Sequence, residues 1–164
     1  MNYTSDNLLI HPNPSGDVIV NITPASAGWS HLHFQARRLA TGAHWQHHTG
    51  ETELALVNLD GVYRVSCALG SWIVGGRASV FAGPAHALVL PRRTQFEVTA
   101  VSGGEFALIA AETDRDIAPL FVQPSDVRIN LRGADNMTRQ INDIVPPGSP
   151  VHKLVLVEVY TPPG

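Results

Sequence analysis

Short apolar segments that alternate with polar residues constrain the fold of this chain more than any other feature. Residues 31–37 show the pattern most clearly, because Leu32, Phe34 and Ala36 alternate with histidine, glutamine and arginine. A period of two residues is typical of a half-buried β-strand. Fourteen glycines and twelve prolines divide the rest of the 164 residues into short pieces. Further strand candidates are residues 18–22, 54–59, 62–66, 72–74, 79–81, 87–90, 96–101, 106–110, 127–131 and 154–160.

Many short strands at this spacing predict an all-β protein, either an antiparallel sandwich or a barrel. Asp60-Gly61 lies between two strand candidates and predicts a hairpin turn, because glycine adopts positive φ without steric cost. Residues 136–145 allow two interpretations. Met137, Ile141 and Ile144 have helical spacing, but the same residues also suit an extended arm.

A chain of this length is expected to form one domain with a sizeable core. We divide it into an amino-terminal arm with the first strand (1–27), a β-barrel (28–145), and a linker with a terminal strand (146–164). The terminal strand is apolar, so we expect it to leave an open sheet edge that leads toward a missing partner. A homodimer, or pairing with a second barrel, would cover that edge.

The composition limits the partners and the compartment. A formal net charge of −3 argues against a nucleic-acid surface. Lys153 is the only lysine, and an excess of arginine suits either a small anionic ligand or a compositional bias of the source. Cys67 is alone, which fits a reducing cytoplasm, and its apolar neighbours indicate a packing role. Residues 1–14 lack the pattern of a secretory signal, and no apolar run is long enough to cross a membrane.

Histidines and acids cluster between residues 42 and 61 and suggest half of a metal site. Gly42, Gln46, His48, Glu53 and Gly61 lie close to the frame of the first metal motif of cupin barrels, which this segment resembles. Gln46 stands where that motif has its first histidine, and the final spacing is one residue longer. A second ligand trio, His44, His48 and Glu53, requires an irregular loop.

The second half of such a site should follow Pro91. The cupin motif has a glycine and a histidine at the positions where this chain has Arg93 and Phe96. A transition metal generally needs three suitable protein ligands, and phenylalanine supplies none. We therefore expect no metal ligands in this chain, with His44, His47 and His48 on a polar loop.

Arg77 is the remaining candidate for a site. It follows Gly75-Gly76 and precedes a strand candidate, so a phosphate-binding loop at a helix start is not expected. The guanidinium either reaches into a pocket or locks a loop by donating to backbone carbonyls, and we favour the loop lock.

Several longer motifs resemble the 5-deoxy-glucuronate isomerase (IolB) family of inositol catabolism. The resemblance covers nearly the whole chain from Gly28 onward. The most specific segments are residues 77–84 and the terminal Val157-Glu158-Val159-Tyr160-Thr161-Pro162-Pro163-Gly164. Weaker ones are Gly28-Trp29, the turn at residues 39–42, residues 49–53, Leu90-Pro91, Arg132-Gly133, Asn136 and Arg139.

The resemblance implies a two-cupin architecture, of which residues 28–145 would form the first, cupin-like barrel. It implies conversion of 5-deoxy-glucuronate to 5-dehydro-2-deoxy-gluconate, an aldose–ketose isomerisation through an enediol. The family's divalent metal would belong to the second barrel, whose ligands match no position in this sequence. We therefore assign no catalytic residue and no cofactor to this chain, and take His48, Glu53 and Arg77 as candidates for substrate binding.

Three hypotheses follow. The chain is the amino-terminal domain of a sugar-acid isomerase whose catalytic barrel is absent, and is inactive alone. Alternatively it is a stand-alone cupin module for binding or scaffolding. The third hypothesis is an independent metal-dependent cupin enzyme that uses His44, His48 and Glu53.

Overall fold

The computed structural model describes Thr4 and residues 9–162 of the chain. Thirteen strands dominate the described part, with one turn of α-helix, α1 (Pro24–Ala27), and two 3-10 turns (Pro124–Asp126 and Asp135–Met137). The strands are β1 (Val18–Ile22), β2 (Leu32–Leu39), β3 (His44–His48), β4 (Thr52–Asn58), β5 (Val62–Cys67), β6 (Gly70–Gly75), β7 (Ala87–Leu90), β8 (Gln95–Ser102), β9 (Gly104–Glu112), β10 (Leu120–Val122), β11 (Arg128–Arg132), β12 (Arg139–Val145) and β13 (Leu156–Tyr160).

The strands form three antiparallel sheets. The central sheet has the order β1-β2-β9-β4-β7-β10, the barrel sheet β3-β8-β5-β6, and the outer sheet β11-β12-β13. One apolar cluster lies between the central and barrel sheets, and a second lies between the central and outer sheets. The prediction of an all-β antiparallel sandwich is confirmed.

Alternation along the central strands supplies both clusters. On β4, Leu54 and Leu56 face the barrel interior, whereas Ala55 and Val57 face the outer sheet. Every one of these side chains is less than one tenth exposed. A strand buried on both faces reads as a continuous apolar run, which is why residues 54–57 look uniformly hydrophobic in sequence.

The turn at Asp60-Gly61 is not the predicted hairpin. Gly61 has the expected positive φ of 72°, but β4 pairs with β7 and β9 whereas β5 pairs with β6 and β8. The turn therefore carries the chain from the central sheet to the barrel sheet. The Asp60 carboxylate accepts a hydrogen bond from the Glu105 backbone N–H and fixes this crossing.

Two other local predictions need correction, and one open alternative is decided. Residues 79–81 form a turn instead of a strand, and Phe81 is 81% exposed. The expected polar loop of histidines is strand β3. The ambiguous segment 136–145 is extended for most of its length, as β12, because pairing with both β11 and β13 satisfies its backbone.

Parts of the sequence predictions lie outside the described residues. These are residues 1–3 and 5–8 of the arm and Pro163-Gly164 of the terminal motif. Within the described part of the chain, no helix has the length and hydrophobicity that a membrane span requires.

The two phenylalanines of opposite exposure test the assignment of strand faces. Phe96 is 2% exposed inside the barrel, so Phe96→Ala should lower the free energy of unfolding by about 3–5 kcal/mol. Phe81→Ala removes a ring that is largely in water and should change it by less than about 0.5 kcal/mol. Urea denaturation of both variants measures the difference. Equal losses would mean that Phe81 packs in a core.

Candidate functional site

The parity of β3 decides which of its side chains can face a ligand inside the barrel. Trp45 and His47 are half-buried, whereas His44, Gln46 and His48 are exposed. A shift of one residue moves a whole set of side chains to the other face of a sheet. The interior positions are therefore Trp45 and His47, not the Gln46 and His48 of the predicted metal frame.

Aromatic rings fill the interior at this level. Phe96 pairs with His47 across β8 and β3, and their ring centroids lie 5.7 Å apart. Trp45 lies 5.8 Å from Phe96 and 5.9 Å from Phe106 between ring centroids. Aromatic and imidazole rings thus occupy the barrel interior beside β3 and β8.

The outward residues of β3 bind residues of β8 and of the turn before β4. Gln46 Nε2 donates to Glu97 Oε2 at 2.9 Å, and His44 Nδ1 lies 3.0 Å from the Thr99 hydroxyl. The hydrogen bond from Gln46 and the nearby His44 lower the pKa of Glu97. His48 Nδ1 accepts a hydrogen bond from the Gly50 backbone N–H at 2.9 Å, which caps the turn into β4.

Glu53 is fully buried and faces the outer sheet, away from the barrel interior. Its carboxylate accepts hydrogen bonds from three consecutive backbone N–H groups, at 3.0 Å from His152, 2.5 Å from Lys153 and 2.6 Å from Leu154. These contacts fasten the segment that enters β13 to the start of β4. The carboxylate has no free face toward a ligand in this arrangement.

Arg77 is buried at the opposite end of β4. Nη2 donates to the Asn58 carbonyl at 2.7 Å, Nη1 donates to the Gly83 carbonyl at 2.9 Å, and the guanidinium forms a two-pronged ion pair with Glu158 of β13. Arg77 therefore locks the loop at residues 76–86, as the favoured sequence interpretation had it, and it also holds the outer sheet.

The structure does not bring His48, Glu53 and Arg77 together. Arg77 binds Asn58, which lies five residues beyond Glu53 along the extended β4. At about 3.4 Å per residue this separates the two backbone positions by about 17 Å. His48 belongs to the barrel sheet, whereas Glu53 faces the outer sheet.

The donors present do not fit a transition metal. Among residues 4 and 9–162, no group of three histidine, cysteine, aspartate or glutamate side chains is placed to hold an ion. The trio His44, His48 and Glu53 is divided between the outward face of one sheet and the buried side of another. No step of any reaction is assigned to a metal in this barrel.

A polar group that sequence reasoning missed lies at the edge of the barrel interior. It consists of Arg37 and Gln35 on β2 with Trp45 and His47 on β3, and we call it the Arg37 cluster. The guanidinium carbon lies 4.2 Å from the centre of the Trp45 ring, and the His47 ring stacks on Trp45 at 5.0 Å. The sequence does contain a signal for this group: Ala43, Trp45 and His47 lie on alternate positions, which predicts that they share the inward face.

Burial governs the charge of the Arg37 cluster. Partial burial lowers the pKa of His47, and the charges of Arg37 and His48 lower this pKa further. Partial burial also lowers the pKa of Arg37, and the charge of Asp17 opposes that effect. The neutral imidazole of His47 is thus favoured beside a cationic guanidinium.

A groove of about 1040 Å³ lies on the other face of the central sheet. Phe34 and Ile109 line it from the central sheet, and Val157 of β13 and Val155 just before β13 line the other side, with Arg92 and Lys153 at a polar end. The outer sheet packs on the β4, β7 and β10 side of the central sheet, and within the described chain β13 pairs only with β12. Val157 is 51% exposed. The groove is therefore an open apolar surface beside a free strand edge.

A matched pair of variants tests whether Glu53 stabilises the fold by fastening the segment that enters β13. Glu53→Gln places an amide NH₂ against backbone donors, so we expect a loss of about 1.5–3 kcal/mol in the free energy of unfolding. Glu51→Gln breaks an exposed ion pair with Arg93 and should leave the free energy of unfolding nearly unchanged. Denaturant titrations of both variants provide the measurement. A Glu53→Gln protein as stable as the wild type would contradict the fastening role.

Comparison with known proteins agrees with this architecture. The sequence pattern of the KduI/IolB family matches residues 8–164. A protein of Geobacillus kaustophilus named 5-deoxy-glucuronate isomerase is 34% identical over 155 residues, which are 93% of this chain and 56% of that protein. A Bacillus subtilis protein of the same name is 26% identical over 150 residues, which are 90% of this chain and 55% of that protein. The chain thus spans about half the length of these relatives.

Comparison with solved structures also finds similarity to an IolB-like protein. The crystal structure of an IolB-like protein from Salmonella typhimurium superposes with a TM-score of 0.89 at 28% identity, covering 93% of this chain and 59% of that one. A glyoxylate-induced protein from Pseudomonas aeruginosa shares the fold alone, with a TM-score of 0.60 at 10% identity over 79% of this chain and 49% of that one. The three-sheet β-structure and the family match together place this chain in the KduI/IolB family.

Proposed function

We propose that this chain is the non-catalytic, cupin-like first barrel of a sugar-acid aldose–ketose isomerase, which converts 5-deoxy-glucuronate to 5-dehydro-2-deoxy-gluconate. Support comes from relatives that carry the name 5-deoxy-glucuronate isomerase and match 93% of this chain. Since the match covers 56% of those relatives, a second barrel would supply the rest of the enzyme. The single Cys67 fits the reducing cytoplasm, where we place the protein.

One observation carries the assignment of a non-catalytic role. The interior positions of β3 and β8, where a cupin places its ligands, hold Trp45, His47 and Phe96. One imidazole between two aromatic rings offers a divalent metal a single donor. In an enediol mechanism a divalent metal would polarise the carbonyl whose neighbouring proton is transferred, and one imidazole does not make a ligand set for such a metal.

The alternative of an independent metal enzyme has weaker support. Its ligand trio requires His44 and His48 to turn inward, but both lie on the exposed face of β3. Turning them inward would expose Trp45 and move His47 away from Phe96. Among the three candidate substrate contacts, Glu53 and Arg77 are engaged with the scaffold. The His48 side chain is exposed, so His48 is retained as a proposed substrate contact.

An isomerase assay tests this proposal directly. The purified 164-residue chain, with divalent metal added, should give no turnover of 5-deoxy-glucuronate above the protein-free rate. The Geobacillus kaustophilus relative serves as the positive control under the same conditions. Turnover that scales with the concentration of this chain, and that disappears in His44→Ala or His48→Ala, would support the independent enzyme instead.

We further propose that the groove on the central sheet is where this barrel meets a second one. The groove has an apolar floor and an unpaired strand, which are the features that sheet proteins normally cover. In a solution of this chain alone, a second copy is the available partner. The chain should then form a homodimer through this face.

Two valines of equal exposure provide the test of the docking face. Val157 in the groove and Val101 on β8 of the barrel sheet are each 51% exposed. Val157→Asp buries a charge on association and should weaken the dimer by at least about tenfold, whereas Val101→Asp should leave it unchanged. Light scattering over a concentration series measures the dissociation. A wild-type chain that stays monomeric at all concentrations would refute the homodimer.

A further inference from the structure

Arg37 differs from the other buried or half-buried arginines of this structure. Arg77 and Arg92 each form an ion pair with a carboxylate. Within the described residues Arg37 forms none, although Asp17 is near enough to raise its pKa. A partly desolvated cation without a carboxylate partner is costly to keep, and a bound anion would offset that cost.

The unused part of Arg37 is the edge that binds carboxylates elsewhere in this chain. Arg38, Arg92 and Arg93 each donate to a carboxylate through both Nε and Nη2. In Arg37, Nη1 donates to Gln35 Oε1 at 3.0 Å, but the buried Nε has no acceptor. Nη2 also lacks an acceptor among the described residues and is not closed off from solvent. The planar fork of Nε and Nη2 matches the two oxygens of a carboxylate.

His47 offers a second free group beside this edge. Its ring nitrogens have no hydrogen-bond partner within residues 9–162, although the ring is packed on Trp45 and Phe96. Trp45 lies against both the guanidinium and the imidazole. Two free donor groups, one from each sheet, are thereby held around one aromatic ring.

We propose that the Arg37 cluster binds the carboxylate of a small organic acid. Nη2 of Arg37 donates a hydrogen bond to the carboxylate first. Nε donates to the carboxylate as well when the guanidinium moves off the Trp45 ring. His47 donates to the same ligand through a ring nitrogen. The choice of a sugar acid as the ligand rests on the proposed function, but the binding chemistry does not, because this site needs no turnover and no metal.

Titration of the isotopically labelled chain with D-glucuronate, followed by NMR, tests this site. The indole N–H signal of Trp45, identified by its loss in Trp45→Phe, should shift with saturation as D-glucuronate is added. D-glucose has the same ring without the carboxylate and should leave the signal in place. Sodium chloride at matched ionic strength controls for screening.

Neighbouring arginines on β2 supply matched variants. Arg37→Gln should weaken D-glucuronate binding by about tenfold or more, because the charged fork is lost. Arg37→Lys keeps the charge but not the fork and should also weaken binding. Arg38→Gln removes a guanidinium that is already paired with Glu105 and should leave the affinity within about twofold.

Three outcomes would overturn the inference. They are equal shifts with D-glucose, a shift that increases without saturating, and an unchanged affinity in both folded Arg37 variants. Melting curves establish that each variant is folded before its affinity is compared. Since the isomerase assay measures turnover and this titration measures binding at Trp45, either proposal can fail without the other.

Discussion

The buried carboxylate of Glu53 is the contact on which the position of the outer sheet against the central sheet depends. It accepts three backbone N–H groups from residues 152–154 and so determines where β13 begins. At the other end of β4 the ion pair of Arg77 with Glu158 holds β13 a second time. A buried charge is tolerated only where its partners are complete, and Glu53 has three donors for its two oxygens. These fixed ends explain why the outer sheet covers one half of the central sheet and leaves the groove open.

The general fold could be predicted from sequence because period-two alternation is a local signal. Residues 31–37 show it without reference to any other part of the chain, and they lie on strand β2 from Leu32 onward. The sheet to which a strand belongs is a non-local property. Asp60-Gly61 has the chemistry of a hairpin turn, yet it crosses between sheets because β4 finds its partners in β7 and β9. Local turn chemistry specifies the bend but not the pairing.

The candidate site was harder to predict because a shift of one residue along a strand changes which side chains face the barrel interior. The spacing of a metal motif selected Gln46, His48 and Glu53, whereas the packing of Trp45 puts the alternate residues inside. Large aromatic surface dominates this choice, since burying a tryptophan contributes more than burying a histidine that would need a partner. The motif spacing makes Glu53 a candidate for substrate binding, and its burial reflects a structural use that the sequence pattern alone does not distinguish from a binding one. Alternation alone does not predict the role of Arg37, because it lies on the polar face of residues 31–37, which a half-buried strand normally exposes.

The central sheet separates two surfaces of different chemistry. On β2, Phe34 lines the apolar groove, while the neighbouring Gln35 and the more distant Arg37 face the barrel interior. Alternation along one strand thus gives the sheet an apolar side suited to another barrel and a cationic side suited to a small anion. Substitutions on opposite faces share no contacts, so their effects on association and on ligand binding should add independently. The interior keeps a polar edge in this way, because the Trp45 ring packs against both Arg37 and His47.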